Sequence, residues 1–299
     1  MKILVTGGTG FIGGKLVADL ASSGHEVFCV VRNPIPGHSR PGLNLIFGET
    51  TRPGTWQDQV PGMDVIINLA GANISSRWTE AYKKLIYDSR ILTTRNLVAA
   101  LPANSRATLI STSAVGYYGD RGEEILTEGS EPGSGFLTCV TTDWEKEARM
   151  AEDKGARVVL TRFGVVLGKS GGALQKLIPV FKRGLGGPLG SGKQWFPWIH
   201  VEDLLSAMKF IIENKDIAGP VNFSAPIPVR QKMVAKALGR CLGRPAWVPV
   251  PGFLLQLVLG EFADSLLQSQ KVIPSRLIEK GYRFQFLEID QALENIVNE

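Results

Sequence analysis

Apolar, largely β-branched residues from Lys2 to Thr6 run into a set of glycines. The stretch that follows, Phe11 to Ser23, carries its apolar positions at helical spacing until Gly24 interrupts it. That pattern predicts a strand, a tight turn and a helix. Glu26 to Val31, Leu43 to Phe47, Asp64 to Leu69, Thr108 to Ile110 and Arg157 to Thr161 read as further strands, with helical periodicity at Thr79 to Leu101 and Phe136 to Lys154 between the later ones. Such alternation predicts an α/β protein with a doubly wound parallel sheet covered on both faces. After Gly168 the texture changes. Gly172 to Arg183 reads as a helix, and Gly184 to Gly192 is too rich in glycine for a regular element. His200 to Glu213 and Val229 to Leu242 read as helices around a strand at Val221 to Phe223, with Gly243 as the last helix stop. The expected division is a first domain over 1–168, with 199–224 returning to it, and a smaller C-terminal mixed α/β domain over 169–198 and 225–299.

Composition narrows the function classes. A chain of 299 residues with 44% hydrophobic positions can bury a substantial core. No run approaches the ~20 apolar residues that a membrane helix needs, and Met1 to Val5 enters a strand with no basic segment ahead of it. The expectation is a soluble, unprocessed, cytoplasmic protein with no membrane partner. Cys29, Cys139 and Cys241 are scattered without metal-ligand spacing, so neither a disulfide framework nor a metal site is expected. The net charge of +5 comes from basic residues interleaved with acidic ones, which argues against nucleic acid while still favouring anionic small ligands.

The segment VTGGTGFIGG sets Gly7, Gly10 and Gly13 between a strand and a helix, where backbone amides can approach a pyrophosphate and face its charge. Thr9, Phe11 and Ile12 complete that turn as cofactor contacts. Strand before and helix after make this the dinucleotide-binding turn of a Rossmann fold. At the end of the second strand, after Val31, an acidic residue would select NAD by holding the ribose hydroxyls, but Arg32 stands there instead. A guanidinium favours a 2′-phosphate, so NADP(H) is the expected cofactor; a solvated surface arginine is the alternative reading.

TGGTGFIGG, NLAGA from Asn68 to Ala72, STSAVGYYG from Ser111 to Gly119 and TRFGVVLG from Thr161 to Gly168 occur in the order found in extended short-chain dehydrogenases/reductases. GLGGPLGSGKQWFPWIHVEDL from Gly184 and SQKVIPSRLIEKGYRF from Ser269 are similar to the atypical NAD(P)-dependent epimerase/dehydratase subgroup that carries its own C-terminal domain of unknown function. The chain resembles that family over essentially its whole length. The resemblance implies cofactor contacts at Leu69, Ala70 and Gly71 beside the ribose and at Gly164 beside the nicotinamide; Glu49, with Thr50, either reaches the adenine or lies in a solvated turn. It also puts Arg90 where many members have an asparagine, and its five donors suit a cofactor phosphate or ribose. Members often pair through two long helices, here Thr79 to Leu101 and Phe136 to Lys154, so the resemblance leaves a homodimer open while the sequence itself does not fix the oligomeric state.

The catalytic positions depart from the family. Its enzymes pair a Ser or Thr with Tyr-x-x-x-Lys, the lysine lowering the phenol pKa so that it can exchange a substrate proton. Ser113 fits the first part, but the tyrosine falls at Cys139 and the lysine at Asp143. Tyr117 and Tyr118 are candidates to replace the phenol or else pack as loop aromatics, and Lys146 and Lys193 are the nearest candidate cations. The family's substrate arginine is replaced by Phe196. Trp195, Phe196 and Trp198 suggest an apolar wall or a sealed domain seam, while Arg183, Lys193 and the glycine-loop amides stay available to an anionic substrate. His200 reads as a helix-start scaffold residue. Two functions remain open: an NADP(H)-dependent oxidoreductase or epimerase acting on a small carbonyl, alcohol or sugar-derived substrate, and a non-catalytic NADP(H)-binding redox sensor or scaffold.

Overall fold

The computed structural model describes residues 1–33 and 41–298. In chain order its first half comprises β1 (Lys2–Thr6), α1 (Phe11–Ser22), β2 (Glu26–Val31), β3 (Leu43–Phe47), β4 (Val65–Asn68), α2 (Glu80–Ala100), β5 (Thr108–Ala114), β6 (Ile125–Leu126), α3 (Phe136–Arg149) and β7 (Arg157–Phe163). Then follow β8 (Val165–Gly168), α4 (Gly172–Lys182), β9 (Trp195–Phe196), β10 (Trp198–His200), α5 (Val201–Glu213), β11 (Gly219–Phe223), β12 (Val229–Arg230) and α6 (Gln231–Cys241). The chain ends with α7 (Gly252–Leu259), α8 (Phe262–Leu267), β13 (Lys271–Val272), α9 (Ser275–Glu279) and α10 (Ile289–Asn298).

Seven parallel strands form one sheet in the order β3-β2-β1-β4-β5-β7-β11. The order reverses between β1 and β4, and a doubly wound sheet binds its ligand at such a reversal. Alternation along the strands sorts the core into two layers. Leu4, Ile66, Leu109 and Leu160 face Leu97 and Val98 of α2 and Ala148 of α3. Ile3, Val5, Ile67, Ile110 and Val159 face Leu16 and Leu20 of α1 and Leu204, Met208 and Ile211 of α5. β11 adds the last strand beside β7, so the segment after His200 completes the sheet.

Several boundaries move from where the sequence alone puts them. β5 runs on to Ala114, because pairing with β7 continues through Ser111, Thr112 and Ser113, whose hydroxyls make the segment resemble a loop. α3 stops at Arg149, and Glu152–Lys154 is a separate tight turn that Gly155 closes at φ +84°. Val229 and Arg230 pair with β9 before α6 begins. Beyond Gly243 the region is largely helical. Its core, where α10 lays Leu293 and Ile296 against Val234 and Leu238 of α6, is joined to the sheet layer through Asp203. That carboxylate accepts from the Gln285 and Phe286 amides at 2.7 and 2.9 Å.

Candidate cofactor and active site

The glycine turn is built by contact as well as by sequence. Gly7 has φ +71°, and a Cβ on it would lie 2.7 Å from the Leu69 carbonyl, so the turn rests directly on the Leu69–Ala70 backbone. A Cβ on Gly13 would lie 2.2 Å from the Gly7 oxygen. Gly10 caps α1 in an extended conformation, no side chain caps the helix, and its first turn holds no acid. The leading amides at Phe11, Ile12 and Gly13 therefore keep their partial positive charge for an anion. Thr9 and Gly10 are exposed above them. The Phe11 ring packs into a slot floored by Gly168, Gly171 and Gly172, which ties the turn to the chain leaving β8.

The Gly48 amide donates to the buried Val31 carbonyl at 3.0 Å, which brings Arg32 and Glu49 to adjacent strand ends. Both are exposed. Among the described residues no carboxylate pairs with Arg32, and Glu49 accepts a hydrogen bond from Thr51 Oγ1 at 3.0 Å. Arg90 turns back from α2 over the NLAGA segment, donating to the Ala72 carbonyl at 3.0 Å and the Ile86 carbonyl at 2.9 Å. A side chain at Gly71 would meet this guanidinium at 3.0 Å. With no carboxylate beside it, burial pushes the Arg90 pKa down to about 10. Two of its donors are thus spent on backbone, and any hold on the cofactor uses the rest. Gly164 sits at the seam, its amide donating to Phe223 O at 2.9 Å, with Pro197 O 2.8 Å from where a Cβ would lie.

The catalytic corner differs from expectation. Ser113 is 1% exposed, and its hydroxyl donates to Glu145 Oε1 at 2.7 Å. Arg162 grips the same carboxylate through Nε and Nη2, each at 2.8 Å. Burial works against the Arg162 charge, but the hydrogen bonds and charge of Glu145 raise its pKa above the ordinary arginine value. In this arrangement the Ser113 proton is directed at Glu145 and not at the side from which a substrate carbonyl would come. Tyr118 is engaged as well. It is fully buried, its hydroxyl accepts from Arg162 Nη1 at 3.0 Å, and Asn222 Oδ1 and Thr127 O lie at 2.7 and 2.9 Å. Burial pushes its phenol up to about 12.

Tyr117 lies half-buried with the Arg162 guanidinium 3.5 Å from its ring centroid. Cys139 is exposed, while Asp143 accepts from the Tyr87 hydroxyl at 2.8 Å and by that bond raises the Tyr87 pKa. Lys146 and Lys193 are exposed. Sequence reasoning missed Glu145 and Arg162: Arg162 carried a signal, a charge inside a largely apolar strand, whereas Glu145 sits among Asp143, Lys146 and Glu147 and carried none.

The substrate side is also more occupied than a free aromatic wall would be. Trp195 donates through Nε1 to Glu123 at 3.0 Å, and Arg230 and Lys271 stand 3.8 and 4.8 Å from its ring centroid. Trp198 is buried in the C-terminal core, with Phe196 packed against it. His200 caps α5, its Nδ1 accepting from Glu202 N at 3.1 Å, and stacks on Phe286. Burial pushes its pKa down to about 4, so it stays neutral and structural.

Residues 3–223 match the model of the NAD dependent epimerase/dehydratase family, and residues 250–296 match a domain of unknown function, DUF1731. An Arabidopsis thaliana relative named "Epimerase family protein SDR39U1 homolog, chloroplastic" is 41% identical over 99% of this chain and 87% of its own length. "Epimerase family protein YfhF" of Bacillus subtilis is 39% identical over 99% of this chain and 98% of its own. Among solved structures, the human epimerase family protein SDR39U1 (isoform 2), crystallised with NADPH, matches at a TM-score of 0.88 and 36% identity over the full length of both chains. With the sheet, the glycine turn and both matched segments agreeing, the chain belongs to the NAD-dependent epimerase/dehydratase family and carries that family's C-terminal DUF1731 domain.

Proposed function

We propose that this chain binds NADP(H) and uses it as an oxidoreductase or epimerase on a small carbonyl, alcohol or sugar-derived compound. The observation that carries the reading is the uncapped N-terminus of α1, set over glycines that cannot bear a side chain, with Arg32 at the neighbouring strand end. The Phe11, Ile12 and Gly13 amides would hold the pyrophosphate, and Arg32 would hold the 2′-phosphate. When bound, the cofactor supplies or accepts the hydride. The chain's own contribution to proton transfer rests on Tyr117, the one candidate phenol whose hydroxyl has no hydrogen-bond partner among the described residues. A human relative crystallised with NADPH supports the cofactor assignment. Three free cysteines fit a reducing, cytoplasmic setting, and two copies meeting through α2 and α3 belong to the same reading.

A second reading, a non-catalytic NADP(H) sensor or scaffold, is favoured by one observation: the Ser113 hydroxyl is sealed against Glu145. Calorimetric titration with NADPH and NADH, followed by a screen of carbonyl compounds for NADPH oxidation, separates the two. Turnover that Tyr117→Phe abolishes while NADPH affinity is kept supports the enzyme. Tight binding with no turnover across the panel supports the sensor.

A further inference from the structure

α7 reads GFLLQLVL, apolar almost all round, yet only Leu255 is buried. Phe253, Leu257 and Val258 are 68%, 71% and 68% exposed, with Leu254 beside them, and their spacing places them on one stripe of the helix. Trp247, a few residues earlier, is 78% exposed. It sits near a third apolar group, because the Val248 amide donates to Gly186 O next to the exposed Leu185. Single exposed apolar residues need no explanation, but a stripe, an indole and a leucine of one region presented together to water do.

The surroundings are cationic. A shallow depression of about 460 Å³ beside Trp247 is lined by Lys236, Arg240 and Arg244. Arg240 pairs with Asp290, whereas no ion pair holds Lys236 or Arg244 among the described residues. Exposed Lys182 and Arg183 end the α4 segment just before Leu185, and exposed Arg77 lies against Gly260, where α7 stops. Of the acids in this region, Glu261 pairs with Lys83 and Asp290 with Arg240, while Asp264 accepts from Gln256 and Glu294 lines a second depression beside Arg240.

We propose that this face docks on an anionic phospholipid surface, with α7 and Trp247 entering the interfacial layer and Lys236 and Arg244 meeting headgroup phosphates. The charge decides the occupant. A second copy would bring the same cations against each other, whereas an anionic bilayer neutralises them while the stripe buries its apolar area. No helix among the described residues is long and apolar enough to cross a membrane, so the contact is peripheral. The sequence-based expectation of no membrane partner came from the lack of such a span, which says nothing about a docking face.

The test is co-sedimentation of the full chain with vesicles of phosphatidylcholine alone and of phosphatidylcholine mixed with phosphatidylglycerol. Binding is expected only to the mixed vesicles, falling as salt rises and accompanied by a blue shift of tryptophan emission that Trp247→Phe removes. Lys236→Ala with Arg244→Ala is expected to weaken it roughly 30-fold. Leu257→Ser with Val258→Ser is expected to cost at least about tenfold. All four side chains are exposed, so an unchanged melting temperature separates lost docking from lost fold. Equal binding to both vesicle types, no binding to either, or variants that bind as the parent does would each overturn the proposal. So would sedimentation velocity showing a dimer that the Leu257 and Val258 changes abolish.

Discussion

Two corners of the same sheet edge, the glycine turn at β1 and the Ser113 corner at β5, have diverged from the family pattern to different extents. At the turn the requirement is for absence of side chains and for unpaired amides, and every glycine the pattern asks for is present and tightly packed. At β5 the family's chemistry depends on particular side chains, and here a buried Glu145–Arg162 pair holds the serine proton while Asp143 and Cys139 replace the Lys and Tyr. A dinucleotide cradle depends mainly on backbone shape, whereas proton transfer depends on particular side chains. The two capacities can therefore be broken separately.

The largest effect should come from Glu145→Ala. It leaves Arg162 charged in the interior without its partner, and a loss of about 3–5 kcal/mol in unfolding free energy by denaturant titration is expected. A loss under 1 kcal/mol, on the order of a surface pair, would mean that the interior pair is hydrated. At the other corner, Gly13→Ala forces a Cβ onto the Gly7 carbonyl. It should cost about 1–3 kcal/mol of stability and remove NADPH binding in the same calorimeter cell, because the turn itself must shift. NADPH binding that survived this change would put the pyrophosphate elsewhere.

Ser113→Ala and Tyr117→Phe sharpen the contrast with smaller effects. The first removes one hydrogen bond to a carboxylate, worth about 1.5–3 kcal/mol of stability, and should leave NADPH affinity unchanged. The second should leave both stability and affinity nearly unchanged while abolishing any turnover found. The smallest effect concerns pH. Burial holds the His200 pKa near 4 in the fold against an ordinary 6.5, so the unfolded chain binds the extra proton first. The neutral ring's contribution to stability is full above pH 6.5 and is lost as pH falls towards 4. Thermal melts across that window should show the loss, and His200→Asn should flatten it.

Much of this was legible in the chain. The strands β1 to β5 and the glycine turn follow from local pattern, because hydrophobic period and glycine position act over a few residues; the absence of the Tyr and Lys came from the family resemblance. What was not legible depends on partners far apart in sequence. Ser113 meets Glu145 across 32 positions, and Tyr118 meets Asn222 across 104, so neither fate is written near the residue itself. Arg90 was readable as an unusual cation facing the cofactor side, but its commitment to the Ala72 carbonyl was not. The helices after Gly243 escaped definition because α7 lacks polar alternation, the same feature that leaves its stripe in water.

Arg32 is expected to set a preference for NADPH over NADH at the dinucleotide cradle. Calorimetric titration of the parent chain and of Arg32→Ala with NADPH and NADH addresses it directly. The parent should bind NADPH more tightly than NADH, and Arg32→Ala should lose roughly 10- to 100-fold in NADPH affinity with NADH hardly changed. Equal losses for the two cofactors, or a parent that binds them alike, would contradict the account.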